Sequence, residues 1–311
     1  MIQGRQSGTQ VHVPVLPTEV IFYLNIFTDG IYLDGTVGLG GHAVLILDHL
    51  SPKGHFIGTD RDNEALLLCN KRLSGYPTPV SLFHNSYHNF NAILDELGID
   101  QVNGFILDLG LSSLQMDSHV RGFSYSTDSD LDMRFDSSQE IKASGILNHL
   151  SENDLANVIF QYGEERRSRA IAKSIVKMRP LTTVFDLVES IRRSTPPNHR
   201  DRTLARVFQA IRIKVNGELE KLENFLSSFL DRLVIGGRIA IISFHSLEDR
   251  LVKHSFKELA KEGALSILTK KPVIATNEEM AENRRSRSAK LRVAERISEW
   301  QKKECQNEPG I

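Results

Sequence analysis

Apolar positions in the first third of the chain follow two alternating rhythms. Short runs at 31–37, 55–60, 80–84 and 104–109 read as strands, and the stretches 42–50 and 63–73 repeat apolar residues at helical spacing, with Pro, Gly and Ser at the joints. Strand alternating with helix predicts parallel pairing and a doubly wound sheet. Upstream, Thr18 is placed to cap a short apolar helix ending near Phe27.

The rhythm then changes. From about 142 to 214 the pattern is helical with no strand candidate: Ser151 with Asp154 forms a helix start, Thr182 or Thr183 caps a run carrying Phe185, Val188 and Ile191, and Leu204, Val207, Phe208 and Ile211 share one face. After this, Leu219, Leu222, Phe225, Leu226, Phe229, Leu230 and Leu233 predict a helix, Gly236 and Gly237 a turn, and 238–244 a strand. Two last strand-like runs, 265–269 and 291–297, are expected to pair antiparallel and complete a seven-stranded sheet. The expected division is an α/β domain in two parts, 11–140 and 216–302, with an all-helical insertion at 141–215 and mobile ends at 1–10 and 303–311.

Composition adds limits. The chain has 311 residues and 40% hydrophobic content, enough for an ordinary core. No apolar run approaches the roughly 20 residues of a membrane span, and the opening MIQGRQSGTQ lacks the apolar centre of a signal peptide, so no membrane partner and a cytoplasmic location are expected. Two cysteines, Cys69 and Cys305, make neither a disulfide framework nor a set of zinc ligands, and no metal site is expected. The net charge of −1 hides an asymmetry: residues 161–215 hold thirteen Arg and Lys against five acids, a local balance of +8. A solvated helix surface and a polyanion-binding face both fit that excess.

The densest chemical signal is DGTVGLGGH, Asp34 to His42, directly after the run Ile31, Tyr32, Leu33. A strand ending in an acid and entering a glycine-rich turn is how an α/β domain holds a nucleoside-containing cofactor, and Gly38, Gly40 and Ala43 satisfy the dinucleotide spacing G-x-G-x-x-G/A. A second acid, Asp60, ends the second strand where a ribose would lie, and Asp108 ends the fourth. Each acid alone can be a helix cap. Three together at strand ends suit the sulfonium and ammonium of S-adenosylmethionine better than the pyrophosphate of a dinucleotide, which favours a helix N-terminus free of anions. A nicotinamide-dependent dehydrogenase and a non-catalytic RNA-binding module remain the alternatives.

Taken together, HVPVL at 12–16, DGTVGLGGH at 34–42, DRD at 60–62, ILDLGLSSLQMD at 106–117, RGFSY at 121–125, LDMRFD at 131–136, QYGEE at 161–165, FQAIRIKVNGEL at 208–219, SFHSLEDRLVK at 243–253 and RSAKLRVAER at 287–296 resemble one family. It is the bacterial 16S rRNA cytosine-N4 methyltransferases of the RsmH or MraW type. The resemblance implies a class I, Rossmann-like S-adenosylmethionine-dependent methyltransferase with cofactor positions at Gly40, Gly41, His42, Asp60, Tyr87, Asp108 and Gln115, to which the charge argument adds Asp34. The family usually has Phe where Tyr87 stands and Pro where Leu114 stands. The implied partner is 16S rRNA or the small ribosomal subunit, and the implied target is the cytosine at position 1402 of the decoding centre. A monomer and a homodimer both remain open.

Methylating an exocyclic amine requires a group that accepts the amine proton, because the N4 lone pair is delocalised into the ring. Asp108 and the turn at 109–113, including Ser112, are the expected acceptors, with His245 and Ser246 nearby; the alternative is that Asp108 serves only the adenine or the methionine end of the cofactor. Many amino-methyltransferases place a D/N-P-P-aromatic turn here. DLGLSS lacks its prolines and aromatic, so stacking on the base falls to Phe123, Tyr125 or Phe244. Phosphates are expected on Arg166, Arg167, Arg169, Arg200, Arg202 and Arg206 of the insertion and on Arg285, Arg287 and Lys290.

Overall fold

The structure is a computed structural model and describes residues 13–112, 115 and 120–299. The expected mobile ends, and Ser113 and Leu114 of the turn after Asp108, lie outside the described residues. The chain packs as two compact units: the first holds residues 1–60, 69–109 and 223–311, the second residues 61–68 and 110–222.

The first unit is built on a seven-stranded sheet of β1 (Ile31–Asp34), β2 (His55–Asp60), β3 (Val80–His84), β4 (Val102–Asp108), β5 (Leu233–Ser243), β6 (Leu265–Ile267) and β7 (Lys290–Arg296). Its order is β3-β2-β1-β4-β5-β7-β6. The first five strands are parallel and β7 runs antiparallel to β6, as the sequence predicts, and β7 also runs antiparallel to β5. Along the chain, helices α1 (Pro17–Leu24), α2 (Gly41–Leu47), α3 (Asn63–Leu73) and α4 (Phe90–Glu96) precede β1, β2, β3 and β4 in turn. An aromatic cluster fills the core of this unit: Phe105 meets Phe90 at 5.4 Å and Phe225 at 5.5 Å between ring centroids, both edge to face.

Several boundaries differ from the sequence reading for identifiable reasons. β1 stops at Asp34 and does not reach residue 37, because the Asp34 carboxylate accepts the Thr36 N–H and turns the chain. Thr18 is not a cap: α1 starts one residue earlier with Pro17 in its first turn, behind Leu16 in the left-handed region, and it ends at Leu24. The helix expected from 219 to 233 breaks into α10 (Glu218–Leu226) and a 3₁₀ turn at Phe229–Arg232, and Leu233 already belongs to β5. Gly236 and Gly237 lie inside β5, not before it. There the register against β4 jumps from Leu233 opposite Val102 to Arg238 opposite Gly104, and Gly236, at φ 81°, absorbs the bulge.

The second unit contains α5 (Ala143–His149), α6 (Glu152–Gly163), α7 (Ser168–Lys177), α8 (Val184–Ser194) and α9 (Arg200–Asn216). Ser151 accepts the Asp154 N–H at the start of α6, and Thr183, the second of the two candidate threonines, forms a full capping box with Asp186 on α8. Leu155, Ile159, Ile171, Ile175, Leu187, Ile191, Leu204 and Ile211 are buried together in its core. Leu131 and Met133 join that core, and the unit, made of residues 61–68 and 110–222, reaches beyond the 141–215 expected of the insertion on both sides. No helix among the described residues is long and apolar enough to cross a membrane.

Candidate active site

In an open parallel sheet, ligands bind beyond the carboxyl ends of the strands at the point where strand order reverses. Here the chain moves outward from β1 to β2 and β3, then returns to place β4 on the other side of β1. Asp60, Asp34 and Asp108 end the three consecutive strands β2, β1 and β4 at that point. Asp34 pairs with Gly58 and with Ile106, so Asp60 and Asp108 each stand two residues further along, on one rim.

The turn after β1 is held by the residues it joins. Thr36, which sequence reasoning passed over, sits at the centre: its N–H donates to Asp34 Oδ1 at 2.9 Å, and its hydroxyl accepts the Asp108 N–H at 2.6 Å. Gly38 N–H donates to Asp60 Oδ2 at 2.8 Å. Gly35 is required by close approach, because a Cβ there would lie 2.4 Å from Leu107 Cδ2 and 2.6 Å from Tyr87 Cβ. Gly40 is required by conformation: it precedes α2 at φ 78°, with Cys69 Sγ 3.0 Å from where its Cβ would be.

Asp34 is the anomalous group of the rim. Burial, followed by the charges of Asp108 and Asp60, pushes its carboxyl up to about 8, against the Thr36 N–H that favours its ionised form. Three acids crowded on one rim, one of them 2% exposed, form a place where an added cation is stabilised and an added anion is not. The donor set therefore fits a ligand carrying ammonium or sulfonium charge, and does not fit a pyrophosphate. The same crowding and burial press the Cys69 thiol up to about 12.

The other nominated residues take varied positions. Gly41 and His42 open α2, and the His42 ring lies buried between the Val15 carbonyl and Asp108. Tyr87 is buried, with its ring edge-on to Phe225 at 5.8 Å. Gln115 and Ser112 belong to the second unit, where they bond reciprocally: Ser112 N–H donates to Gln115 Oε1 at 3.1 Å, and Gln115 N–H to Ser112 Oγ at 3.2 Å. Gln115 Nε2 reaches Asp62 Oδ2 at 3.4 Å, and Arg121 pairs with the same oxygen. Asp62 and Arg121 were not foreseen. Of the nominated base-stacking groups, Phe123 is stacked on Phe135 at 5.7 Å with the Arg121 guanidinium over its ring, and Tyr125 lies against Phe208 at 5.6 Å.

His245 sits beyond the end of β5 as the N-cap of α11 (Ser246–Lys261). Its Nδ1 accepts the Glu248 N–H at 3.4 Å, so that nitrogen is engaged in the cap, while its Nε2 is buried without a hydrogen-bond partner among the described residues, 3.2 Å from Glu248 Oε1.

The nominated basic residues separate by partner. Arg206 pairs with Glu165 at 3.5 Å, Lys290 with Asp249 at 3.4 Å, and Arg200 donates to the carbonyls of Thr195 and Arg192. Arg202 and Arg287 are exposed and Arg285 is half-buried. Arg166, Arg167 and Arg169 are exposed with no carboxylate in ion-pair range among the described residues, and so are Lys173 and Lys177. Arg169, Lys173 and Lys177 recur every fourth residue of α7, a ridge spanning about 12 Å on its solvent side. The two lysines were in the counted charge but were not nominated, although the four-residue spacing was visible.

Comparison with known proteins agrees over nearly the full length. A family model described as the MraW methylase family matches residues 9–297. The ribosomal RNA small subunit methyltransferase H of Thermosipho africanus is 49% identical over 290 residues, covering 92% of this chain and 98% of that protein. The protein of the same name from Kosmotoga olearia is 47% identical over 299 residues, covering 94% and 100%, and that of Thermotoga neapolitana is 48% identical over 297 residues, covering 94% and 98%.

Proposed function

The chain belongs to the MraW methylase family and is an S-adenosylmethionine-dependent methyltransferase, and on that premise we propose that it methylates 16S rRNA of the small ribosomal subunit at N4 of the cytosine at position 1402, in the decoding centre. The observation that supports this cofactor on this chain is the rim of Asp60, Asp34 and Asp108 on adjacent strands, with Asp34 pressed towards its neutral form until a cation arrives.

When bound, S-adenosylmethionine supplies an electrophilic methyl group on a sulfonium. Asp34 offers its carboxylate to the cationic charge, and Asp60 offers hydrogen-bond acceptance to the ribose. Gly40, Gly41, His42, Tyr87 and Gln115 are the further cofactor positions. Asp108 accepts the N4 proton, which localises the amine lone pair as the amine becomes tetrahedral. The main-chain N–H of Asp108 donates to the Thr36 hydroxyl, which ties the end of strand β4 to the cofactor turn and helps to align acceptor and donor. His245 is given a supporting role, since its capping bonds fix the end of β5 beside β4. Phe244, half-buried at that same end, is the aromatic assigned to the target base, because Phe123 and Tyr125 already have ring partners.

Arg166, Arg167 and the α7 ridge of Arg169, Lys173 and Lys177 take RNA phosphates. Their support is the absence of carboxylate partners among the described residues, in a segment where Arg193, Arg206 and Arg212 each have one. The test is a comparison of 16S rRNA from cells with and without the gene by nucleoside mass spectrometry. Loss of the N4 methyl group from the decoding-centre fragment is expected in the deletion, and an unchanged methylation pattern overturns the substrate assignment.

A further inference from the structure

The ring of His42 has chemistry that cofactor binding leaves unused. It is 5% exposed, and its Nε2 lies 2.9 Å from the Val15 carbonyl oxygen. A carbonyl only accepts, so Nε2 carries the hydrogen and, in the neutral ring, Nδ1 is a bare lone pair. That lone pair stands 3.9 Å from Asp108 Oδ2. Two acceptors 3.9 Å apart, on a ring 6% and a carboxylate 21% exposed, repel unless a proton comes between them. A bond to Val15 alone accounts for Nε2, but it gives no reason to aim Nδ1 at a carboxylate.

We propose that His42 is the relay partner of Asp108, receiving at Nδ1 the proton that Asp108 takes from cytosine N4. The inference rests on the reading of Asp108 as the N4 proton acceptor. As the bond between N4 and the methyl carbon forms, the carbon–sulfur bond breaks and its electron pair stays on sulfur. The N4–H electron pair returns to nitrogen while its proton goes to Asp108 Oδ2. Passage of that proton to Nδ1 restores the carboxylate and leaves an imidazolium whose Nε2–H stays on Val15, and the ring then releases the proton to water.

The charge balance favours this route. Methyl transfer removes the sulfonium charge from a rim of three acids, and an imidazolium at His42 puts one positive charge back beside Asp108. The charged groups on the surrounding elements are Asp34, Asp60 and Asp108 at the ends of β1, β2 and β4. On the Val15 side stand Glu19 of α1 and Glu279 of α12 (Asn277–Glu282), the latter accepting the Leu16 N–H at 2.8 Å. The 3.9 Å gap must close by about 1 Å for direct transfer, the kind of tightening catalytic hydrogen bonds undergo on substrate binding.

His42→Gln separates relay from scaffold, because a glutamine N–H can still donate to Val15 while the side chain has no basic nitrogen. At saturating cofactor and rRNA, kcat is expected to fall about 100-fold, and the acidic limb of its pH profile should disappear. In the full chain labelled with [15N]histidine, the neutral ring of His42 should show a protonated Nε2 and a bare Nδ1. A wild-type kcat and pH profile in His42→Gln, or a ring protonated at Nδ1 when neutral, overturns the relay. If Asp108→Asn is inactive while His42→Gln is normal, the relay alone fails. Full activity in Asp108→Asn removes the reading beneath it. Should His42→Gln melt early, the nitrogen spectrum of the wild type still decides.

Discussion

Replacing Asp34 by asparagine should make the protein without cofactor more stable and its cofactor binding weaker. The Asp34 carboxyl is pushed from 3.8 up to about 8 by burial and by Asp108 and Asp60, so the folded chain binds a proton that the unfolded chain has released across that whole interval. Stability from this group is therefore complete below about pH 4, falls as pH rises, and levels off above about pH 8. At about 1.4 kcal/mol per pH unit, the loss at pH 7 is on the order of 4 kcal/mol. Asparagine has nothing to ionise there, and its Oδ1 can still accept the Thr36 N–H that Asp34 accepts at 2.9 Å. Urea denaturation at pH 5, 7 and 8.5 is the assay: the difference between variant and wild type should widen in favour of the variant with rising pH. Calorimetry at pH 7 should show S-adenosylmethionine binding the variant about 10- to 100-fold more weakly, a loss of about 1.4–2.8 kcal/mol. A stability difference independent of pH, or undiminished affinity, refutes the account of the rim as a site waiting for a cation.

Gly40→Ala places a Cβ at φ 78° and 3.0 Å from Cys69 Sγ. It should cost about 1–2 kcal/mol in a denaturation curve and weaken cofactor binding with it. The Cys69 thiol, buried and pushed up to about 12, should resist alkylation at pH 8 until the chain unfolds, as peptide mass spectrometry would show; rapid labelling of the folded chain contradicts its placement under the turn. Reversing Arg169, Lys173 and Lys177 together should lower the salt dependence of RNA binding by about 0.7–0.9 in slope per lost phosphate contact. Cofactor affinity should not change, and equal loss of both affinities would mark misfolding. Thr183→Ala removes the capping box of α8 and should cost about 1 kcal/mol in thermal or chemical denaturation.

The sheet was readable because its signals are local. Strands β2 and β3 and helix α3 begin and end where apolar period and flanking Gly, Pro and Asp place them, and the antiparallel β6 and β7 follow from two short apolar runs late in the chain. What failed depended on distant partners. Nothing near Gly236 tells a bulge from a turn, since the difference lies in the pairing with β4, and nothing near Leu131 and Met133 says that they join a helical core. Helix α4 was missed although Phe90, Ile93 and Leu94 have helical spacing, because seven residues are too few for the pattern to stand out. In the rim, the acids were legible as strand-end residues, but Thr36 was not: its role comes from accepting the N–H of Asp108, seventy-two positions away. His245 reads as catalytic by type and position, and only its bond from the Glu248 N–H shows that it also caps α11.

The most direct test of the central claim is labelling in vitro. Purified protein, methyl-labelled S-adenosylmethionine and small ribosomal subunits from cells lacking the gene are incubated, and the rRNA is digested and resolved by fragment and by nucleoside. The account predicts label in N4-methylcytidine within the fragment containing position 1402, and its loss with Asp108→Asn. Label in another nucleoside or fragment, or no transfer to rRNA from a protein that binds the cofactor, would contradict it.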